Sequence, residues 1–168
     1  MRCDHCGGET ILRRQTHHYK ESGLDNVYLE NVEVRYCEKC KTGAPRIPRI
    51  KELHLTIARA IALQDAPLSG PEMKFLRKHL GMKAKEWAEY LRIDASTLSR
   101  WESGDQQVGA QSDALIRLVY FRLLEERENK RVTEPVAGRI AALTSEPHRV
   151  PDVLVNMNSP GTYRYHAY

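Results

Sequence analysis

All four cysteines of the chain fall in two Cys-x-x-Cys pairs, Cys3/Cys6 and Cys37/Cys40. Each pair is a knuckle with glycine close behind it: Gly7-Gly8 after the first, Gly43 after the second. Four thiolates delivered two by two are the donor set of a tetrahedral Zn²⁺ site, and a module this small needs such a site to fold. Four protein ligands leave the metal no open position, so the expected zinc is structural. A redox role is the rival reading, but a thioredoxin-like motif needs one pair and a βαβ setting, and neither pair opens one. His5 lies inside the first knuckle and reads as a solvated neighbour, because the thiolates already close the site. His17 and His18 sit in a polar stretch and read as surface residues. No Ser-His-Asp set and no carboxylate pair stands out elsewhere, so the chain reads as a non-enzyme.

The chain has 168 residues, 26 Lys/Arg and 22 Asp/Glu, for a net charge of +4. Residues 1–66 and 67–131 carry +2 each (11 against 9, then 12 against 10), and residues 132–168 carry zero (3 against 3). That balance neither requires nor excludes nucleic acid, so the argument must come from local arrangement. No run reaches the apolar length of a membrane span, and Met1-Arg2-Cys3 opens no signal-peptide pattern. The expected location is the reducing cytoplasm, where paired cysteines hold metal rather than form disulfides.

Elements must carry these residues. Between the knuckles, Val27, Leu29, Val32, Val34 and Tyr36 suggest short strands, the last with clear alternation (Val32, Val34, Tyr36), so residues 1–48 read as a zinc-binding β module. Pro45 and Pro48 close it. Ile50, Leu53, Ile57 and Ile61 recur at helical spacing, which gives a linking helix within 49–67. Residues 68–130 read as a helical domain. Ser69-Gly70-Pro71-Glu72 is a capping box that starts its first helix. Lys83–Leu91 and Ala95–Glu102 are two short helices, with Asp94 as N-cap and Gly104 as terminator of the second. Gln111–Glu128 is a longer helix with Leu115, Leu118, Val119 and Leu123 as its expected inner face. Residues 131–168 read as an irregular C-terminal tail with a short helix at Val136–Leu143; prolines 147, 151 and 160 break the rest. The fold class expected is α+β.

The two short helices carry the second piece of chemistry. Ala88 is small where helices must cross closely, and Leu91, Ile93, Leu98 and Trp101 bury one face. Trp87 and Trp101 read as core rather than as base-stacking platforms. Ala95, Ser96, Ser99 and Arg100 point outward, and a helix with small polar residues and an arginine on its open face can enter a major groove.

Trp87-Ala88 and Ile93-Asp94-Ala95-Ser96-Thr97-Leu98-Ser99-Arg100-Trp101-Glu102, closed by Gly104, resemble the helix-turn-helix of the lambda-repressor-like (Xre) family over residues 69–125. The resemblance implies that Ala95, Ser96 and Arg100 read bases. Arg100 is placed for a bidentate contact to guanine, worth about 1–3 kcal/mol of discrimination. Ser99 shares that face, and Thr97, Lys83 and Lys85 are expected on phosphates. It also implies an ion pair between Arg77 and Glu102. Three positions depart from the family: Arg92 stands where the turn usually has glycine, Lys83 replaces a Ser/Thr cap, and Ala84 replaces a polar residue.

The knuckles, the linking helix and the helix-turn-helix together resemble the MqsA-like antitoxins with their YgiT-type zinc finger, over residues 1–125. That resemblance implies a structural Zn²⁺, a homodimer formed through the helical domain, and repression at a palindromic double-stranded DNA operator. It further implies a ribonuclease toxin bound by the N-terminal module. Residues 131–168 extend past the family's usual end. The alternatives are a stand-alone zinc-finger regulator without a toxin, a protein-interaction adaptor, and an RNA-binding zinc ribbon, for which Tyr19, Tyr28 and Tyr36 are too few aromatics.

Overall fold

The structure is a computed structural model that describes residues 2–129, 136–141, 150–159 and 162–166. A sheet at one end and a group of helices at the other share a continuous apolar core. Strands β1 (Thr10–His18) and β2 (Val27–Cys37) form an antiparallel hairpin, and β3 (Gly43–Arg46) pairs antiparallel with the C-terminal half of β2. Asn31, at φ 59°, interrupts the alternation of β2, so Val27, Leu29, Val32 and Val34 are all buried.

Helix α1 (Ile50–Leu63) lies between the sheet and the remaining helices. Leu53, Ile57 and Ile61 are buried as their spacing predicts, while Ile50 at its first turn is exposed. Helices α2 (Gly70–His79), α3 (Ala84–Leu91), α4 (Ala95–Ser103) and α5 (Ala110–Glu128) follow in the expected order. Ser69 caps α2 in a complete capping box with Glu72. The architecture is α+β, with a strand-rich module ahead of a helical region.

The expected inner face of α5 is corrected. Val119 and Leu123 pack half-buried against the core as expected, but Leu115 and Leu118 are 43% and 44% exposed, and the buried face carries Asp113, Ile116, Arg117, Tyr120, Phe121 and Leu124. Apolar and charged residues are both spread round the helix, so periodicity could not select a side. A charged pair defines the true one. Buried Arg117 bonds the Asp113 carboxylate and donates to the carbonyls of Gln64 and Ala66, both at 2.7 Å, and of Ala62 at 3.2 Å. The Asp113 carboxylate also accepts from the Leu68 N–H at 2.6 Å. The chain between α1 and α2 is thus held from inside, which satisfies carbonyls that burial would leave orphaned.

The expected irregular tail is corrected as well. A short helix α6 (Val136–Ala141) is followed by two strands, β4 (Asp152–Asn156) and β5 (Tyr163–His166). Strand β4 runs parallel to the N-terminal half of β2, pairing Val27 with Val153 and Leu29 with Val155, and β5 pairs antiparallel with β4. Val153 and Val155 are buried and join the core, and the Tyr165 hydroxyl donates to the Ala60 carbonyl of α1 at 2.6 Å. Pro151, the described one of the prolines that suggested irregularity, lies just before β4 rather than within it. Residues 131–135, 142–149, 160–161 and 167–168 of the expected tail, among them Pro147, Pro160 and Tyr168, lie outside the described residues.

Candidate metal centre and nucleic-acid interface

Strand register brings the two knuckles together. Thr10, first residue of β1, lies opposite Cys37, last residue of β2, so the turn before β1 faces the turn after β2. In the first knuckle the Gly7 N–H reaches the Cys3 carbonyl at 2.9 Å, with Gly7 at φ 69°. The second knuckle is the turn of the β2–β3 hairpin, closed by the Cys37 N–H on the Thr42 carbonyl at 2.8 Å.

The four sulfurs lie within 4.8 Å of one another. Cys6 and Cys37 are 3.5 Å apart, and Cys3 and Cys40 3.6 Å. A tetrahedron with metal–sulfur bonds of about 2.3 Å has edges of about 3.8 Å, so the cage fits a thiolate-bound ion. Cys37 is buried and the other three are part-exposed. The Thr42 hydroxyl donates to the Cys40 sulfur at 2.9 Å and, with the Thr42 backbone N–H, holds that thiol down at about 6. A thiol already biased toward thiolate is a ready metal ligand. These four cysteines are close enough to hold a metal ion. His5 is exposed and stands outside the cluster. His17 and His18 are half-buried rather than fully on the surface: His17 lies 3.3 Å from Glu21, and His18 stacks on Tyr28 with centroids 4.5 Å apart.

The helix-turn-helix is α3, the turn at 92–94, and α4. Trp87, Ala88, Leu91, Leu98 and Trp101 are buried between them and their neighbours. The Ile93 N–H bonds the Ala88 carbonyl at 3.0 Å, which turns the chain sharply out of α3. Arg92 makes that turn at φ 54° and ψ 45°, a left-handed conformation that costs a non-glycine residue about 1–2 kcal/mol. Asp94 occupies the N-cap position of α4, but its side chain makes no capping bond.

Arg77 and Glu102 pair as the sequence resemblance implies. The guanidinium donates to the carboxylate twice, at 2.6 and 2.8 Å, and to the Met82 carbonyl at 2.9 Å, with both side chains about nine-tenths buried. Gly70 tightens the same joint. A Cβ there would lie 2.5 Å from the Trp101 carbonyl oxygen, so the start of α2 meets the end of α4 backbone to backbone.

Of the seven residues expected on DNA, Ala95, Ser96, Ser99, Arg100, Lys83 and Lys85 are exposed and Thr97 is half-buried. Six of them share the α4 face or the N-terminal turn of α3. Arg100 leans back over the helix, its guanidinium 3.4 Å from the Thr97 hydroxyl. The pairing of Thr97 with Arg100 was not legible in the sequence pattern, whereas the left-handed Arg92 falls where the resemblance puts a turn glycine. Among the described residues no helix is long and apolar enough to cross a membrane.

Residues 73–112 match the family described as Helix-turn-helix. No curated protein and no solved structure matches the chain. The chain therefore contains an Xre-like helix-turn-helix domain over 73–112 and, separately, a four-cysteine cluster. The helix-turn-helix match supports a DNA-binding regulator.

Proposed function

We propose that the protein is a cytoplasmic, sequence-specific transcriptional repressor that binds DNA as a homodimer and acts as the antitoxin of a toxin–antitoxin pair. The observation that carries the reading is the exposed face of α4, where Arg100 stands among small side chains on a helix pinned to its scaffold by Arg77–Glu102. Arg100 reads a guanine through its paired donors, Ala95 offers its methyl to thymine, and Ser96 and Ser99 complete the reading face. Thr97, Lys83 and Lys85 hold phosphates and set the register.

The exposed Leu115 and Leu118 on the outer face of α5 support pairing of two copies through the helical domain. Two copies place their reading helices about 34–36 Å apart, one turn of DNA. In this reading the cysteine cluster holds a structural Zn²⁺ that shapes residues 1–48 as a partner-binding module. The partner is a ribonuclease toxin. Strand β1 supports this, because Ile11 to Thr16 are exposed on both faces and β1 ends the sheet order among the described strands. A long open edge is a template for a partner's strand.

Selection from a random double-stranded DNA pool tests the reading. It should return an inverted repeat with half-sites one helical turn apart, bound less tightly as salt rises. Recovery of no preferred sequence would favour an adaptor whose helix-turn-helix serves only as scaffold. A short ribonuclease-like reading frame in the same operon, whose product copurifies with residues 1–48 intact, separates an antitoxin from a stand-alone regulator.

A further inference from the structure

The turn of the helix-turn-helix holds an arginine where its backbone asks for glycine. Arg92 sits at φ 54°, ψ 45°. The neighbouring helices of the same unit, α2 and α4, are each followed by a glycine in the same left-handed region, Gly81 at φ 72° and Gly104 at φ 84°. Glycine adopts that region without steric strain. The bonds that fix the turn are backbone bonds, from the Arg92 N–H to the Glu89 carbonyl at 3.2 Å and from the Ile93 N–H to the Ala88 carbonyl at 3.0 Å. They would form equally well with no side chain at position 92.

Nothing within the described chain offsets the strain. The Arg92 side chain is exposed, and among the described residues it makes no hydrogen bond or ion pair, although Glu89 and Asp94 are near in sequence and exposed. The other non-glycine left-handed residues are Asn31, Asn129, Lys41 and Arg49. Asparagine tolerates this region, Lys41 shapes the second knuckle, and Arg49 pairs with Glu52 at 3.5 Å. Lys41 is likewise exposed and makes no ion pair among the described residues, but it lies beside the cysteine cluster; within the helix-turn-helix, Arg92 is the residue that combines the strain with an unpaired cation. It stands three residues before Ala95, at the N-terminal mouth of the reading helix, and two backbone bonds fix the direction in which its stem leaves the chain.

We infer that Arg92 is a phosphate-contacting residue, a fixed cation that grips the DNA backbone beside the groove entered by α4. Strain held at one residue is a mark of function when the surrounding structure over-determines it. The inference rests on the DNA-binding reading above and adds to it a contact at a position where that fold ordinarily carries no side chain. The contact strengthens binding to all sequences alike, because phosphates carry no sequence information.

Arg92→Gly and Arg92→Lys, compared with the full-length protein on selected and scrambled duplexes over a salt series, test it. Arg92→Gly should melt about 2–4 °C higher because the strain is relieved. It should bind both duplexes about three- to tenfold more weakly, and the slope of log affinity against log salt should become shallower by about 0.9 per subunit bound. Arg92→Lys keeps a cation and should keep most of the slope. Unchanged affinity and slope in Arg92→Gly overturn the inference while leaving the DNA-binding reading standing. A lower melting temperature in Arg92→Gly overturns the strain argument. If the unsubstituted protein itself binds no DNA, both the reading and this inference fall.

Discussion

Arg77 and Glu102 lie 25 positions apart and share two hydrogen bonds away from solvent. Glu102→Gln removes the charge at nearly constant shape. It should lower unfolding stability by about 1–3 kcal/mol, because a buried guanidinium loses half of its partner. It should also weaken DNA binding, since the pair ties α4 to α2. Equal denaturant midpoints for the two proteins would show that the pair contributes nothing. His79 gives a second residue-level test. Burial, with Arg127 beside it, pushes this histidine down to about 4, and its Nδ1 accepts from the Tyr120 hydroxyl at 2.9 Å. An unfolded histidine titrates near about 6.5. Between those values the unfolded chain binds the proton and the folded chain does not, so stability present above about 6.5 falls as pH drops toward 4. His79→Asn, which keeps a polar partner for Tyr120, should flatten that decline in melting temperature, and an identical slope in both proteins would refute the assignment. The ion pair was legible in the sequence because the helix-turn-helix pattern implies it. The His79–Tyr120 bond was not, because 41 residues separate its partners and no local pattern marks either.

At the scale of elements, legibility followed periodicity. Val32 and Val34 of β2 and Leu53, Ile57 and Ile61 of α1 are buried where the spacing puts them, and α2 begins at its capping box. Helix α5 defeated the same reasoning because leucines surround it, and the side that packs was chosen by a buried Asp113–Arg117 pair that pattern reading would have placed in solvent. The C-terminal strands were illegible for another reason. Val153 and Val155 alternate over only five residues, and what makes them a strand is the open half of β2, 125 residues earlier, where Asn26 donates to the Pro151 carbonyl at 3.0 Å. A chain ended at Val150 should therefore expose Val27 and Leu29, lose several degrees of melting temperature and gain dye-accessible apolar surface. Unchanged melting of that truncated chain would mean that β4 and β5 are ornaments on the sheet.

Across the whole molecule, the sequence suggested separate pieces, and the structure joins them. Glu72 of α2 is fully buried and accepts from Ser69, from Gln64 at the end of α1 and from Asn26 at the start of β2. Valines of the sheet share one core with Ile57 and Ile61 of α1 and Trp87 of the helix-turn-helix. A metal held by the four cysteines should therefore stabilise more than its own module. Removing it with a chelator at neutral pH should lower the melting temperature of the helical signal as well as that of the sheet, because metal binding is coupled to folding. A helical transition that ignores the chelator would mean that the two ends fold independently.

The central claim is that α4 reads sequence through Arg100. The direct measurement is the affinity of the unsubstituted protein and of Arg100→Ala for the selected duplex and for the same duplex with its contacted guanine replaced. The account predicts that the unsubstituted protein distinguishes the two by about 1–3 kcal/mol, and that Arg100→Ala binds both alike while Lys83→Ala and Lys85→Ala weaken both equally. Full discrimination retained by Arg100→Ala would contradict it.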